Sequence, residues 1–325
     1  MRESDDGHTL ILTQIGVGPP AHSLHVARTM VSRVTFEPPS IRQDGFGTRL
    51  VEELPGIGRV ERLVLAPALS TPGAEQAIRA RAAHLTRLPT GPIGRVTRVE
   101  RKAGAVSVLG VVPDGVTLSD VLASLEFGTL TLSDEEVLEL AVSVVRAAAE
   151  MHRALGALAH GALSPAHVVL LRDGSTTFTG AVFGDAIQAL QRNRERLWRE
   201  FGLVLPTAAG IPRFDQRGDV TQLGALILSI AQRRILRRDE VPAAIGDLVA
   251  NATLAPTPKV NSNLRAWLRD VLQLHGRVVF SSAVDAGRAF NRVLPGDCGD
   301  EAGALALRIA IRQLCGEPAV RATRS

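Results

Sequence analysis

The spacing of the apolar residues changes near residue 113, and this change limits the folds that the chain can adopt. Before it, short alternating segments predict β-strands at 48–52, 60–65, 93–99 and 106–112. Apolar residues at helical spacing over 73–88 predict one helix among them. After residue 113 helical spacing dominates. We therefore expect an α+β protein with two lobes, a small β-rich lobe with one helix and a larger, mainly helical lobe.

The second half of the chain carries signals for individual elements. Ser133, with Glu136 three residues later, predicts a capping box at the start of a long helix. Asp173-Gly174 lies between two apolar segments and predicts a hairpin turn. Further helices are predicted at 118–125, 219–232, 241–250, 262–274, 281–293 and 302–314. The expected organisation is an N-terminal extension (1–40), the small lobe (41–112), the large lobe (113–294), and a C-terminal helix and tail (295–325).

Composition excludes several classes of protein. The 325 residues contain no Tyr and only 3% aromatic side chains, so the core must be aliphatic. The net charge is +4 and nearly all basic residues are Arg, which is a weak signal for nucleic-acid binding. Two cysteines, Cys298 and Cys315, cannot form a disulfide framework and fit a reducing compartment. Because no apolar run is long enough for a membrane span and no signal peptide is evident, we expect a cytoplasmic protein.

Three motifs follow one another in the second half. Residues 159–171 read Ala-His-Gly-Ala-Leu-Ser-Pro-Ala-His followed by four apolar residues, Val182-Phe183-Gly184 comes one hairpin later, and residues 219–226 read Asp-Val-Thr-Gln-Leu-Gly-Ala-Leu. In this order and spacing they resemble the catalytic loop, the D-F-G motif and the D-V-x-x-L-G helix of the protein kinase superfamily, as in bacterial-type Ser/Thr kinases. The resemblance spans roughly 41–294 and implies a bilobal protein kinase-like fold.

The resemblance also implies which residues should handle phosphate, and most of them are replaced. The catalytic Asp position holds Ala162, the magnesium-binding Asn position holds His167, and the D-F-G Asp position holds Val182. Neither a methyl nor an isopropyl group can take a proton or bind magnesium, which prefers oxygen ligands. The degenerate motif positions are His160, Ala162, Ser164, His167, Val182, Phe183 and Gly184.

The small lobe shows the same pattern of replacement. The third-strand Lys of the family is absent, since no lysine precedes Lys102, and Arg81 falls where the family has the helix Glu. Gly45 and Gly47 keep the end of the phosphate loop, although Arg42 and Asp44 stand where earlier glycines would fall. A vestigial nucleotide cleft is expected at Gly45, Gly47, Val111 and Val112.

The remaining matches are structural. Asp219 corresponds to the buried Asp that, in the family, bonds the backbone of the catalytic loop. Asp215 lies roughly where the family has the Glu of A-P-E, and Arg277 would be its partner in the late helices. Asp185 could reach a metal only if its loop were rearranged. No metal site is predicted, because no Cys or carboxylate completes a set with the nearby histidines.

The replaced residues predict a catalytically inactive pseudokinase that is not an enzyme, has no cofactor and binds ATP weakly or not at all. Its role would be that of a regulatory scaffold for an unidentified protein partner, with no nucleic acid expected. Two alternatives remain open. One is an atypical kinase-fold phosphotransferase or nucleotidyltransferase with a rebuilt metal site. The other is a binder of nucleic acid or another anionic partner through the arginine-rich surface.

Overall fold

A computed structural model of the protein describes residues 41–54, 56, 58–88, 92–206, 212–241, 244–254, 257–276, 279–294 and 301–316. The predicted N-terminal extension at 1–40 lies outside the described residues, and so do 295–300. The division into four segments therefore stays a proposal. The described chain begins with strands and one helix and continues with mostly helices, as the change in apolar spacing predicted.

The small lobe is built on a five-stranded antiparallel sheet. Its elements are β1 (Arg42–Asp44), β2 (Gly47–Leu54), β3 (Gly58–Leu65), α1 (Pro72–Leu85), β4 (Val96–Lys102) and β5 (Ala105–Val111), and the strand order is β1-β2-β3-β5-β4. The predicted strand at 93–99 begins three residues late. Gly94 N–H instead donates to the Phe178 carbonyl, so the start of that segment is bound to the large lobe.

The large lobe contains a small sheet and most of the helices. Its elements are β6 (Gly115–Thr117), α2 (Leu118–Glu126), α3 (Asp134–Leu155), β7 (Val168–Leu171), β8 (Thr176–Phe178), α4 (Gly184–Ala189), α5 (Arg194–Phe201), α6 (Gln216–Ala231), α7 (Ile245–Ala250), α8 (Pro258–Val271), α9 (Ala283–Phe290) and α10 (Glu301–Leu314). Strands β6, β7 and β8 pair in that order. Within the described residues, no helix combines the length and apolarity that a membrane crossing requires.

Local signals account for where these elements begin and turn. Ser133 accepts a hydrogen bond from Glu136 N–H while the Glu136 carboxylate accepts from Ser133 N–H, so the capping box is present. Asp173 Oδ1 accepts from Ser175 N–H in the predicted hairpin turn. Helix α6 is buried on every side from Gly218 to Ala231, which explains its nearly continuous apolar sequence.

Two apolar clusters divide the interior. The larger one gathers the inner faces of α3, α6, α8 and α9 in the large lobe. The smaller one joins the β-sheet and α1 to the segment 182–205. Because this smaller cluster contains residues from both lobes, it fixes the small lobe directly over the loop that carries residues 160–167.

Candidate functional site

A cleft lies between the five-stranded sheet and the loop of residues 160–167. It encloses a cavity of about 440 Å³. The roof includes Arg49 of β2 with Glu61 and Leu63 of β3, and the floor includes Ala166 and Val169. Strand alternation places Glu61 and Leu63 on the same face of β3. Leu63 therefore adds an apolar side chain to the lining of the cleft beside Glu61.

Asp219 anchors the loop beneath the cleft. Its Oδ2 accepts from His160 N–H at 2.5 Å, and its Oδ1 accepts from Gly161 N–H at 2.7 Å. His152 Nε2 lies 3.1 Å from Oδ2 and makes a third contact. Asp219 is completely buried, so these donors replace the water that the carboxylate loses. Asp219 thus binds two consecutive backbone N–H groups of this loop.

His160 is a buried structural residue in this loop. Its Nδ1 accepts a hydrogen bond from Ala162 N–H at 3.2 Å, which requires the imidazole to be neutral at that nitrogen. Burial lowers the pKa of His160 to about 4. The side chain is fully buried and does not line the cleft cavity. It therefore orders the loop and has no access to a ligand in the cleft.

The two positions that the kinase resemblance assigns to carboxylates belong to an apolar cluster. Ala162 is fully buried and Val182 is 1% exposed, and both pack in the smaller apolar cluster with Phe183. Gly184 follows at the start of α4, where its Cα packs against Gly161. An ionised carboxylate at either position would be buried among carbon atoms without compensation.

His167 is held as one neutral tautomer. Its Nδ1 lies 2.8 Å from the Ala162 carbonyl, which only accepts, so Nδ1 carries the proton. Its Nε2 lies 2.9 Å from Arg49 Nη2, which only donates, so Nε2 carries a lone pair. Ser164 Oγ lies 3.3 Å from Nδ1 on the same side. Burial and the charge of Arg49 lower the pKa of His167 to about 3.

Arg49 spans the cleft from its roof to its floor. Besides His167, it contacts Asp44 Oδ2 through Nε at 2.8 Å and Glu61 Oε1 through Nη1 at 2.6 Å. Burial opposes its charge, but Glu61 and Asp44 outweigh this and hold the pKa of Arg49 above its usual value. Burial likewise opposes the charge of Asp44, whose pKa is held below its usual value by Arg49 and by a hydrogen bond from Phe46 N–H.

Phe46 fills the space beside this ion pair. It is 2% exposed, and its ring centroid lies 4.5 Å from that of His167, 5.2 Å from that of Phe183 and 5.2 Å from that of Phe201. The neighbouring Gly45 rests on α5, since a Cβ there would lie 1.5 Å from the Glu200 carbonyl oxygen. The β1–β2 turn, which includes Gly45 and precedes Gly47, is thereby closed down onto the loop and α5.

Two backbone donors of the segment that joins the two lobes are bonded within the protein. Val111 N–H donates to the Arg95 carbonyl at 3.2 Å, and Val112 N–H donates to the Arg59 carbonyl at 3.4 Å. Pro113, which follows, has no N–H group. A flat heterocycle bound here would therefore compete with internal hydrogen bonds for the Val111 and Val112 N–H groups.

Arg81 of α1 connects the small lobe to the segments on both sides of the cleft. Its guanidinium donates to the Ala159 carbonyl and, at 3.2 Å, to the Ala181 carbonyl. It also lies 3.5 Å from Asp185 Oδ2. Asp185 is directed to Arg81 and is not among the residues that line the cleft. Arg81, at the position that the resemblance assigns to the helix Glu, thus binds carbonyl groups.

The arrangement does not fit the magnesium–triphosphate group that the kinase resemblance implies. Magnesium prefers oxygen ligands, yet positions 162 and 182 offer carbon atoms and both His167 nitrogens already have partners. Phe46 and Arg49 take up the space above His167. We therefore derive no reaction step through such a group.

The predicted pairing of Asp215 with Arg277 has no counterpart among the described residues, because Arg277 lies outside them. Asp215 instead caps the N-terminus of α6, where its Oδ1 accepts from Arg217 N–H and Gly218 N–H at 3.0 Å each. Asp215 thus lies at the start of α6, the helix that also contains Asp219.

Sequence reasoning did not identify Arg49, Glu61 and Phe46 as residues of the site. Alternation along β2 and β3 could have placed Arg49 and Glu61 on one face, because two oppositely charged residues on an inward face usually pair. Nothing in the sequence connects Arg49 to His167, which is 118 residues away. That contact follows from the docking of one lobe on the other.

Comparison with known proteins identifies the fold. No family profile matches the chain, and no curated protein matches it in sequence. Among solved structures, the chain is similar to the PknI kinase domain of Mycobacterium tuberculosis, with 20% identity, 78% of this chain and 94% of that chain covered, and a TM-score of 0.55. It is also similar to the kinase domain of maize sucrose-induced receptor kinase 1 bound to AMP-PNP, with 13% identity, 83% and 97% coverage, and a TM-score of 0.60.

These similarities confirm the predicted α+β, bilobal protein kinase-like fold. They also correct one expectation. The prediction that the chain is not an enzyme is wrong, because the structures that share its fold are protein kinase domains. The prediction treated the loss of individual carboxylates as decisive for the class of the whole protein.

Proposed function

We propose that this protein, which has the protein kinase-like fold, is a regulatory module that binds a protein partner and holds ATP weakly or not at all. In this proposal the kinase-like fold supplies the binding surface, and several residues at the positions that the resemblance assigns to phosphate handling are replaced. The observation that carries the proposal is the contact of Arg49 and Phe46 with His167, since these side chains lie over the floor of the cleft.

The joining segment supports weak nucleotide binding independently. Val111 and Val112 direct their N–H groups to the Arg95 and Arg59 carbonyls. A bound purine would have to break such bonds before it gained its own, so the net gain per hydrogen bond would be small. The cavity of about 440 Å³ that remains would thus offer mainly apolar contact to a base.

A rigid connection between the lobes favours a role in binding. Two arginines of the small lobe bind the large lobe directly. Arg49 donates a hydrogen bond to His167, and Arg81 donates to the Ala159 and Ala181 carbonyls. A surface that is already ordered loses less conformational freedom when a partner binds, which raises affinity. The proposed partner would therefore meet a preformed surface whose shape does not depend on a nucleotide.

Thermal unfolding with and without ATP, each in magnesium or manganese, tests the cleft. A ligand at a hundred times its Kd adds about 2.7 kcal/mol to the free energy of unfolding, which raises Tm by several degrees. We expect no metal-dependent rise with ATP, and adenosine serves as the control for the base alone. A clear rise with ATP and metal would overturn the proposal for the cleft.

The binding role needs a separate experiment. A partner isolated from cells would be purified and its affinity for this protein measured by calorimetry with and without magnesium–ATP. The proposal expects the same Kd in both conditions. A complex that forms only with ATP, or failure of purified components to associate, would contradict it.

A further inference from the structure

A second cavity is lined by residues of α5, of the Gly45-Phe46 turn and of α6. It also encloses about 440 Å³, a volume within the range of roughly 300–1,000 Å³ that is typical of small-molecule sites. We call it the α5 cavity. Its apolar wall is formed mainly by Leu163, Trp198, Phe201, Val204, Leu226 and Leu236.

The walls of the α5 cavity are held in place without a ligand. Trp198 Nε1 donates to the Arg238 carbonyl at 2.8 Å and ties α5 to the segment after α6. On the opposite side, Gly45 is seated against the Glu200 carbonyl, and Phe46 packs on Phe201. A cavity whose walls are fixed in this way is preformed, so a ligand would not have to order it.

One polar group in the wall has an unused donor. Gln222 is 1% exposed, and its Oε1 accepts from Leu163 N–H at 2.6 Å, which fixes the orientation of the amide. Its Nε2 has no hydrogen-bond partner among the described residues. A buried amide N–H is normally paired with protein, water or ligand. An acceptor atom on a bound molecule would pair this donor.

The charges around the α5 cavity argue against an ionic ligand. Each acidic residue that lines it faces an arginine, in the pairs Asp44–Arg49, Glu200–Arg192 and Glu126–Arg237. The arginines Arg237 and Arg238 are exposed at its mouth. A cation inside would be taken from water without a free acidic group beside it, and an anion would find only these two solvent-exposed arginines, so either charge would be buried at a large cost.

We propose that the α5 cavity is a binding site for an uncharged, mainly apolar small molecule that carries a carbonyl oxygen as hydrogen-bond acceptor for Gln222. The site shares Asp44, Ser119 and Ala166 with the lining of the cleft, but its apolar wall and Gln222 do not line the cleft. It therefore goes beyond the proposed function, and either proposal can fail alone.

Two probes of the same shape test the acceptor. Benzophenone and diphenylmethane share a two-ring skeleton and differ by a carbonyl oxygen in place of two hydrogens. In calorimetric titrations we expect benzophenone to bind the wild-type protein about tenfold more tightly, the usual effect of one hydrogen bond. In Gln222→Met the two affinities should become equal. Equal affinities in the wild-type protein would overturn the proposal, because a water molecule or no group at all would then satisfy Gln222.

A filling variant tests the location. Ala225→Leu places a larger side chain on the wall of the α5 cavity and should weaken both probes at least tenfold. Ala80→Leu makes the same change on the exposed face of α1, away from the cavity, and should leave binding unchanged. Undiminished benzophenone binding in Ala225→Leu would overturn the proposal.

A measurement on the wild-type protein avoids any dependence on variant folding. Benzophenone bonds to nearby C–H groups when irradiated, so the modified peptides can be identified by mass spectrometry. We expect modification within 163–166, 198–204 and 222–229, which line the α5 cavity. Modification confined to other peptides would place the probe elsewhere and contradict the proposal.

Discussion

Arg49 Nη2 donates a hydrogen bond to His167 Nε2 at 2.9 Å, and this contact joins the roof of the cleft to its floor. The opposite nitrogen of His167 donates to the Ala162 carbonyl at 2.8 Å. The imidazole is thus neutral and fixed in one tautomer between a permanent cation and a carbonyl oxygen. The contact links the two lobes through polar groups that are almost fully buried.

Removal of Arg49 should be strongly destabilising. Arg49→Met keeps the length of the side chain but leaves Asp44, Glu61 and His167 without their shared donor. Because each is at least partly buried, we expect a loss of about 2–4 kcal/mol in the free energy of unfolding, measured by urea denaturation. Arg98→Met is the control, since Arg98 is 61% exposed and its pair with Glu100 should contribute about 0–1 kcal/mol. Equal losses in the two variants would show that the contacts of Arg49 stabilise the fold no more than an exposed ion pair does.

Stability should fall in mild acid because two buried histidines resist protonation. Unfolded His160 and His167 take up protons near their ordinary pKa of 6.5, whereas in the folded protein burial lowers these values to about 4 and about 3. Their contribution is therefore fully present above pH 6.5 and is lost as the pH falls toward 4 for His160 and toward 3 for His167. Each histidine should lower the free energy of unfolding by up to about 1.4 kcal/mol per pH unit in that window.

The same titration can be assigned to His167 with one variant. In His167→Gln the amide can still donate to the Ala162 carbonyl and accept from Arg49, but it does not bind a proton. Urea midpoints measured from pH 7 to pH 5 should therefore fall less steeply in this variant than in the wild-type protein. An unchanged slope would mean that His167 does not contribute to the acid sensitivity.

Two aspartates at the start of α6 should respond very differently to the same substitution. Asp219→Asn replaces one buried acceptor oxygen with an NH₂ group that faces backbone donors, so a loss of about 3 kcal/mol or more is expected. Asp215→Asn should change stability by no more than about 0.5 kcal/mol, because Asn caps helices as well as Asp does. Thermal unfolding of both variants checks the comparison, and a tolerated Asp219→Asn would refute the role of Asp219 as the anchor of the loop.

The close packing of the β1–β2 turn against α5 can be tested at Gly45. Gly45→Ala would place a Cβ 1.5 Å from the Glu200 carbonyl oxygen, so backbone must move, at a cost of about 1–3 kcal/mol. Gly73→Ala at the start of α1 meets no atom within 4 Å and should be neutral or stabilising by up to about 1 kcal/mol. Chemical denaturation of the pair measures the difference, and similar values would show that the turn can leave α5 freely.

The sequence was sufficient for the elements whose signals are local. The capping box at Ser133, the Asp173-Gly174 turn and the alternation in β2, β3 and β5 all depend on residues a few positions apart. Short polar elements were harder to predict. Strand β1 consists of Arg42, Gln43 and Asp44, which carry no apolar alternation, and it exists because β2 pairs with it.

The candidate site was predicted only in outline. The motifs placed His160, Ala162, His167, Val182 and Asp219 in one region because the kinase resemblance carried their relative positions. What fills the space between them could not be predicted. For Arg49, the sequence predicted only that it lies on a strand. Its role depends on Glu61, 12 residues away, and on His167, 118 residues away.

The sequence by itself determined the protein kinase-like fold of this chain and the residue types at the positions that the resemblance assigns to phosphate handling, because motif order and apolar spacing are properties of the chain alone. The tertiary structure decided that Phe46 and Arg49 close over His167, that the Val111 and Val112 N–H groups are already bonded, and that residues of α5 line a second cavity. These features depend on how the two lobes and α5 pack, and packing brings together residues that no local pattern connects.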